Sequence, residues 1–491
     1  MNIVWATSEA APYAKTGGLA DVSYSLPYAL AENGHHVSVF MPYYPQVMGE
    51  RCTDTELIYD LLGVPMGDGH EQWGRIRRHK ISDSLSFYFI ECDRYFDRPK
   101  LYDWGGSEYA DNPERFIFFS RAIMQSVLAL GIKVDVLHAN DWHTALCNVY
   151  LKSHLYDSYE QFSDTKSVMT IHNIGYQGVF HKSNLYWTGL GWDYFNFQCL
   201  EFYDQMNFLK AGVLTADIVT TVSPTYAEEI LSREYGFGLQ NSLQHRAVQG
   251  KLRGIINGID IHEWDPRTDS LIPQNYSAQD LSGKVVCKEA LQKEFGLAIR
   301  PDVPVYGVVS RLAGQKGLDV FIESIAEMLE EDDVQFVVVG AGEQWQESAL
   351  SDYARDYPGK FGCYIGYNNK LAHMVEAGSD FFVMPSRYEP CGLNQMYSMR
   401  YGTVPIVRST GGLEDTVNNY SASNINKATG FKFYDLYPDA LRGTLRWAGS
   451  IYRNDRAAIN RLILNGMTTD FSWHHTAVEY EDLYKHAKSR F

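Results

Sequence analysis

The chain is poor in most features that would take it out of ordinary aqueous folding. It has seven cysteines in 491 residues. They are Cys52, Cys92, Cys147, Cys199, Cys287, Cys363 and Cys391, odd in number, widely spaced and without a C-x-x-C. That pattern excludes a disulfide framework or a zinc ribbon and predicts reduced thiols in a cytosol-like compartment. No apolar run approaches the roughly 20 residues that a membrane-spanning helix needs. Met1 to Ala11 carries Glu9 and has no basic stretch ahead of a long apolar core, so no secretory signal is read there. Positive charge is also short: 43 Lys plus Arg against 60 Asp plus Glu leaves a formal charge of −17. A nucleic-acid-coating protein is therefore not expected, because the phosphate backbone dominates that affinity. A small phosphorylated ligand held by a few local cations remains compatible.

Several catalytic signatures are missing as well. No G-x-x-x-x-G-K-[ST] loop occurs. Gly340-Ala-Gly342 follows a strand-like run, but Trp345 stands where a dinucleotide fingerprint has its third glycine. There is no G-x-S-x-G elbow, which argues against an α/β-hydrolase. His70-Glu71 lacks the second histidine of a zincin, and no other His/Cys cluster has ligand spacing, so no metal site is predicted.

What is present is an ordinary globular mix, 45% hydrophobic and 21% charged, long enough for two or three domains. Strand-length apolar runs alternate with helical patterns, which argues α/β with parallel sheets. Residues 2–7 read as a first strand, followed by a glycine-rich loop and a helix to about Asn33, with Gly34 as its stop. Strands follow at 37–41, 134–139, 167–172 and 218–222, while 50–115 reads as an insertion with loops. The pattern restarts after the polar, proline-bearing stretch 262–300, with strands at 303–310, 334–340, 363–366, 380–385 and 404–408. The expected domains are 1–262, 263–470 and a last helix, 471–491, whose apolar face (Trp473, Ala477, Tyr480, Tyr484) packs on a domain surface, the N-terminal one by preference. In open sheets of this kind ligands lie beyond the carboxyl ends of the strands, so the chemistry is sought in those loops.

Five groups stand there. Lys15-Thr16-Gly17-Gly18-Leu19-Ala20-Asp21 joins a mobile cation and two glycines to a helix start, a phosphate-compatible arrangement; a plain glycine turn with a solvated lysine is the alternative. Arg311 and Lys316, five apart after a strand, suit a diphosphate, or are surface cations. Ser386-Arg-Tyr-Glu389-Pro-Cys391-Gly392-Leu393 puts a carboxylate ahead of a helix start, where it can hold sugar hydroxyls while the helix N–H groups face an anion. Cys391 has no histidine near it in sequence and reads as a small packed thiol rather than a nucleophile. Ser409-Thr410-Gly411-Gly412 can form an anion nest or a glycine turn. Polar groups end neighbouring strands at His138-Ala-Asn-Asp141-Trp-His143 and at His172-Asn173-Ile-Gly-Tyr176, and Asn257-Gly-Ile-Asp260 approaches the boundary.

Taken together, these residues resemble the bacterial glycogen synthase and plant starch synthase family, the family-5 glycosyltransferases. The resemblance runs from Lys-x-Gly-Gly-Leu-x-Asp through His-x-x-Asp-Trp-His at 138–143, His172-Asn-Ile, Asn257-Gly-Ile-Asp with Trp264-Asp-Pro, Arg311 and Lys316 and Glu389-Pro-Cys-Gly-Leu to Phe471-Ser-Trp473. It implies the GT-B fold, two Rossmann-like domains with parallel sheets facing each other across a deep cleft. It implies retaining transfer of glucose from ADP-glucose to the non-reducing end of an α-1,4-glucan, with ADP-glucose as co-substrate, no cofactor, and neither nucleic acid nor membrane as partner. By the resemblance, Lys15 and Gly18 bind the sugar nucleotide, and Arg311 and Lys316 hold the diphosphate. Glu389 and the backbone of Cys391, Gly392 and Leu393 hold the donor glucose. His172 and Asp21 line the reacting sugar and Asp141 supports the site. Asn173, Asn257, Thr410, Gly411 and Gly412 contact substrate, and Tyr367 stacks on the adenine. The implied compartment is the cytoplasm, or a plastid stroma for a photosynthetic eukaryote. Many retaining GT-B enzymes pair two glutamates eight apart, but here Tyr397 stands eight after Glu389. Two other classes fit the residues less well: a UDP-glucose transferase of the same fold, and a glucan-binding or sugar-nucleotide-sensing protein without turnover.

Overall fold

The computed structural model describes residues 1–490. They form two compact units, Met1–Gly258 together with the C-terminal helix from Trp473, and Ile259–Ser472. The chain changes unit at Gly258, a few residues ahead of the expected 262. The tight approach of the two crossing segments accounts for that: a Cβ on Gly258 would lie 2.8 Å from the Trp473 backbone, and the Ile259 N–H donates to the Phe471 carbonyl at 2.8 Å.

The first unit is built on β1 (Asn2–Ala6), α1 (Gly18–Glu32), β2 (His36–Pro42), β3 (Glu56–Pro65), β4 (Glu71–Lys80), β5 (Leu85–Glu91), α2 (Asn112–Ala129), β6 (Val136–Asn140), β7 (Lys166–Ile171), β8 (Ile218–Thr221) and β9 (Leu252–Gly254). These strands make one nine-stranded sheet in the order β9-β8-β7-β6-β1-β2-β5-β4-β3. From β9 to β5 every pairing is parallel. The central strands are almost wholly buried, as expected of parallel strands covered on both faces. β4 and β3 are added antiparallel at one edge. The stretch 50–115, expected to be an insertion with loops, therefore supplies three strands of this sheet. Their alternation is masked because Leu57, Tyr59, Leu61 and Trp73 are exposed, because Gly63 and Gly74 interrupt the apolar positions, and because the β3–β4 register slips twice.

The C-terminal helix, Trp473–Arg490, belongs to this unit and packs beside α1. Trp473, Ala477, Tyr480 and Tyr484 are all buried in the unit's core. The Tyr484 hydroxyl lies 2.8 Å from His138 Nδ1.

The second unit carries β10 (Val305–Val309), α3 (Leu318–Glu331), β11 (Gln335–Gly340), β12 (Phe361–Ile365), β13 (Phe381–Met384), α4 (Asn394–Arg400), β14 (Val404–Arg408), α5 (Gly411–Thr416) and β15 (Phe431–Phe433). Its six strands run β12-β11-β10-β13-β14-β15 and all pairings are parallel. In both sheets the strand order reverses beside the first strand: β1 lies between β2 and β6, and β10 between β11 and β13. Such a reversal splays the loops that leave the two adjoining strands and opens a crevice at their carboxyl ends. The crevice lies between the loops after β1 and β6 in the first unit, and between those after β10 and β13 in the second.

Candidate active site

The second unit's crevice holds Lys316 and Glu389. After β10 the chain passes Arg311 and turns through a short helical turn, Gly314–Lys316. After β13 it runs through Ser386 to Glu389 before α4 begins. Lys316 Nζ donates to Glu389 Oε2 at 2.7 Å, and Ser386 Oγ donates to the same oxygen at 2.8 Å. Glu389 is buried and Lys316 half-buried, so removing either partner would strand a charge in a partly desolvated place. Arg311, in contrast, is exposed and among the described residues makes no ion pair. The two cations of this loop are thus held differently, one against a carboxylate and one toward solvent.

The two loops are stitched through their backbones. The Arg387 N–H donates to the Gln315 carbonyl at 2.8 Å, and Gln315 Nε2 to the Tyr388 carbonyl at 3.2 Å. Gly317 has φ of +67°, and a Cβ there would lie 2.0 Å from the Pro385 carbonyl oxygen, so only glycine permits this approach. The Thr410–Gly412 run closes on the same segment: the Gly412 N–H donates to the Glu389 carbonyl at 3.0 Å. Cβ atoms on Gly411 and Gly412 would strike the carbonyls of Glu389 and Cys391. Close packing under the Glu389 loop therefore explains these two glycines without an anion. Cys391 is a buried thiol. Gly392 and Leu393 lead into α4, with Gly392 at φ +72° over Gln395. Tyr397 is buried and stacks on Trp264, ring centroids 4.0 Å apart, and Trp264's other face covers His373 at 3.9 Å. The position eight after Glu389 is thus an aromatic packing residue.

In the first unit the crevice is lined differently. Lys15 Nζ donates to Asp21 Oδ1 at 2.7 Å, on the exposed loop that enters α1 at Gly18. Gly17 is extended, and a Cβ there would meet nothing within 4 Å. At the end of β6, Asp141 has φ of 53°, in the left-handed region that a non-glycine residue holds at a cost of roughly 1–3 kcal/mol. Its Oδ1 accepts the His172 N–H at 2.8 Å, tying the ends of β6 and β7 together. Burial pushes the Asp141 carboxyl up to about 7 against the lowering effect of the His172 and Asn173 N–H groups, and Glu9 adds to the rise. His172 keeps part of its surface open, yet desolvation pulls it down to about 3, so the ring is neutral near pH 7. Asn140 Nδ2 donates to the Ala6 carbonyl at 3.0 Å, which turns Oδ1 toward His172 Nε2 at 2.9 Å. The proton therefore sits on Nε2 and leaves Nδ1 as an acceptor. Asn173 Oδ1 accepts the Gly175 N–H at 2.9 Å in a local turn.

His138 and His143 are not part of this lining. His138 is interior to β6, between Thr170 Oγ1 and the Tyr484 hydroxyl. His143 is buried against Tyr102 and Phe116. Both are kept well below the usual histidine range by desolvation, so they are core histidines. Asn257 is buried, and its Oδ1 has no hydrogen-bond partner among the described residues. Tyr367 follows the edge strand β12 and is 86% exposed.

Sequence reasoning passed over Glu9 and Asp319 as site residues, and it quoted Asn140, Ser386 and Arg387 only as members of motifs, with no role of their own. Glu9 is buried and accepts from the Thr16 N–H and from Thr16 Oγ1 at 2.9 Å. Burial pushes its carboxyl up to about 7. A buried carboxylate a few residues after a first strand was the available signal. For the others the signal is spatial only. Among the described residues no three His, Cys, Asp or Glu side chains gather in the way a metal ion would need, and no helix is long and apolar enough to cross a membrane.

Comparison with known proteins agrees along the whole chain. The starch synthase catalytic domain family matches residues 2–245, and the glycosyl transferases group 1 family matches 291–449. Glycogen synthase 1 of Geobacter sulfurreducens is 46% identical over 485 residues, 99% of this chain and 96% of that protein. The glycogen synthase of Myxococcus xanthus is 44% identical over 99% of both chains. Among solved structures, the catalytic domain of starch synthase IV from Arabidopsis thaliana, bound to ADP and acarbose, superposes with a TM-score of 0.89 at 33% identity over 99% of both chains. Sucrose-phosphate synthase from Thermosynechococcus elongatus shares the fold alone, with a TM-score of 0.58 at 16% identity. Two parallel-sheet glycosyltransferase domains of the GT-B type, reversing strand order where Lys15 and Glu389 stand, and 44–46% identity to glycogen synthases over 99% of the chain place it in the glycogen and starch synthase family.

Proposed function

We propose that this protein lengthens an α-1,4-glucan at its non-reducing end by retaining transfer of glucose from ADP-glucose. It is a glycosyltransferase of glycogen or starch synthesis, as its family is, with a nucleotide-sugar donor and a glucan acceptor. The observation that carries the finer reading is the Lys316–Glu389 pair at the strand reversal of the second unit, with Arg311 on the same loop. ADP in the Arabidopsis structure supports the choice of nucleotide.

In this reading Arg311 and Lys316 meet the diphosphate, and their fixed charge offsets the negative charge that grows on it as the sugar leaves. Glu389, with the backbone at Cys391, Gly392 and Leu393, holds the hydroxyls of the donor glucose. Thr410, Gly411 and Gly412 buttress that loop from beneath. Tyr367 offers an open aromatic face to the adenine. Lys15 and Gly18 meet the sugar nucleotide from the loop after β1; nothing in the protein requires glycine at Gly17, which is consistent with a ligand lying close there. Asp21 and the Nδ1 of a neutral His172 line the reacting sugar, Asp141 holds the His172 backbone, and Asn173 and the unpartnered Asn257 oxygen complete the polar lining.

Glu389 is paired with Lys316 and accepts a hydrogen bond from Ser386 on the same oxygen, which suits it to holding a sugar rather than attacking one. The bond from C1 to the diphosphate oxygen breaks through an oxocarbenium-like state. The acceptor 4-hydroxyl forms the new bond on the same face, and its proton passes to the departing phosphate, so no glucosyl-enzyme forms. Apart from ADP-glucose as co-substrate no cofactor is needed, and neither nucleic acid nor membrane is a partner. Seven cysteines that are odd in number, widely spaced and without a C-x-x-C fit a cytoplasmic site of action.

The test is nucleotide release from ADP-glucose and from UDP-glucose, each with and without a malto-oligosaccharide. ADP release that depends on the acceptor is expected. Release from UDP-glucose alone would move the protein to another donor class, and binding of ADP-glucose with no release would leave a binding protein.

A further inference from the structure

We propose that Arg387 and Asp319 are a positioning pair that sets Lys316 against Glu389. The inference rests on the reading of those two residues as the donor site. Arg387 lies two residues before Glu389, and Asp319 lies in the first turn of α3, three residues after Lys316. The guanidinium meets the carboxylate with both nitrogens, Nη1 to Oδ1 at 2.7 Å and Nη2 to Oδ2 at 2.5 Å. Nη1 also donates to the Gly314 carbonyl at 2.7 Å, and so grips the first residue of the turn that ends in Lys316. The backbone of Arg387 takes part as well: its N–H meets the Gln315 carbonyl, and its own carbonyl accepts from Arg408 Nη1. One residue therefore fastens the β13 loop to Gly314, Gln315 and Asp319, on both sides of Lys316.

A half-exposed ion pair by itself contributes little stability. This one differs because the planar fork fixes direction as well as distance and because its third bond goes to the backbone of the turn. A lysine at 387 could meet Asp319 but could not hold the Gly314 carbonyl in the same plane. The Arg387 guanidinium holds the Asp319 carboxyl below the usual carboxylate range, and Asp319 raises Arg387 in turn. The pair therefore stays charged across the working pH, and its effect is geometric. Neither residue needs to touch substrate; both act through Lys316.

The test is a double-mutant cycle on kcat with saturating ADP-glucose. Alone, Arg387→Ala is expected to lower kcat about tenfold or more through misplacement of the lysine, with the acceptor KM unchanged. In a Lys316→Ala background the same change is expected to alter kcat less than about twofold, because residues acting through one another are not additive. Asp319→Asn should copy the loss and Asp319→Glu should restore most of it. Equal fold losses in both backgrounds, or no loss in the native background, would overturn the proposal. Near-native turnover of Lys316→Ala alone would instead overturn the donor-site reading beneath it. Thermal midpoints check folding, and Arg387→Lys carries the same cycle if the alanine variant does not fold.

Discussion

The two crevices are built from the same topological device and then finished in opposite ways. In the second unit the carboxylate Glu389 is met by a cation, and the loops around it are fastened by Arg387, Asp319 and backbone hydrogen bonds. In the first unit the buried carboxylates Glu9 and Asp141 make no ion pair among the described residues; backbone N–H groups and a threonine hydroxyl satisfy them, and burial pushes both carboxyls up to about 7. A site that must meet a diphosphate needs fixed, permanently charged groups, because the charge it offsets appears during the reaction. In the proposed reading the first unit orients hydroxyls of the reacting sugar, and a neutral His172, its backbone held by Asp141, offers a directional acceptor for that.

This contrast is sharpest for neutral isosteres. If charge sets the second site, Glu389→Gln should lower turnover nearly as far as Glu389→Ala. A loss of about 10²–10³-fold is expected, the range seen when a residue that stabilises developing charge is removed, because Lys316 loses its partner while the size of the side chain is kept. Steady-state kinetics with ADP-glucose and a malto-oligosaccharide measure it. Glutamine activity within about tenfold of native would break the comparison, since hydrogen bonding alone would then suffice.

In the first unit the opposite is expected. Glu9→Gln keeps the carbonyl acceptor for Thr16 and should retain most activity, but it should change the dependence of stability on pH. The folded-state pKa of Glu9 lies above its usual 4.5, at about 7. Between roughly pH 4.5 and 7 the folded protein therefore holds more protons than the unfolded chain, and this group's contribution falls as pH rises through that window. The shift from 4.5 to about 7 corresponds to about 3 kcal/mol at neutral pH. The variant should show a smaller drop in thermal midpoint from pH 5 to pH 8 than the native protein. Equal drops would show that Glu9 does not titrate in that window.

Much of this was legible along the chain, because each strand reversal leaves its mark in local sequence: an apolar run, then a loop that combines glycine with a cation or a carboxylate. Lys15, Lys316 and Glu389 could be read that way, since each stands within a dozen residues of a strand end. The roles of Arg387 and Asp319 could not: Arg387 stands inside the Glu389 motif, but its meaning comes from a contact with Asp319, 68 residues away in sequence. His138 shows the converse. It sits in a motif of strand-end polar residues, but it lies mid-strand in β6, where Thr170 and Tyr484 satisfy its ring. β3 and β4 escaped because an edge hairpin with exposed aromatics lacks the half-buried alternation by which strands are recognised.

The smallest expected effect lies at the rim of the second unit. Tyr367 follows Gly366, whose φ of +146° and closeness to the Tyr364 ring leave little room for a side chain, so the turn is fixed while the tyrosine itself stands clear of the protein. An aromatic face so placed can stack on a base equally in ground and transition states, and such uniform binding affects KM rather than kcat. Stacking on one base is worth about 1 kcal/mol at an open site, so Tyr367→Ala should raise the KM for ADP-glucose about fivefold with kcat and thermal midpoint unchanged, and Tyr367→Phe should be silent. A fall in kcat instead would mean that Tyr367 responds to the reacting sugar, and the division between a charged reaction centre and a passive nucleotide rim would have to be redrawn.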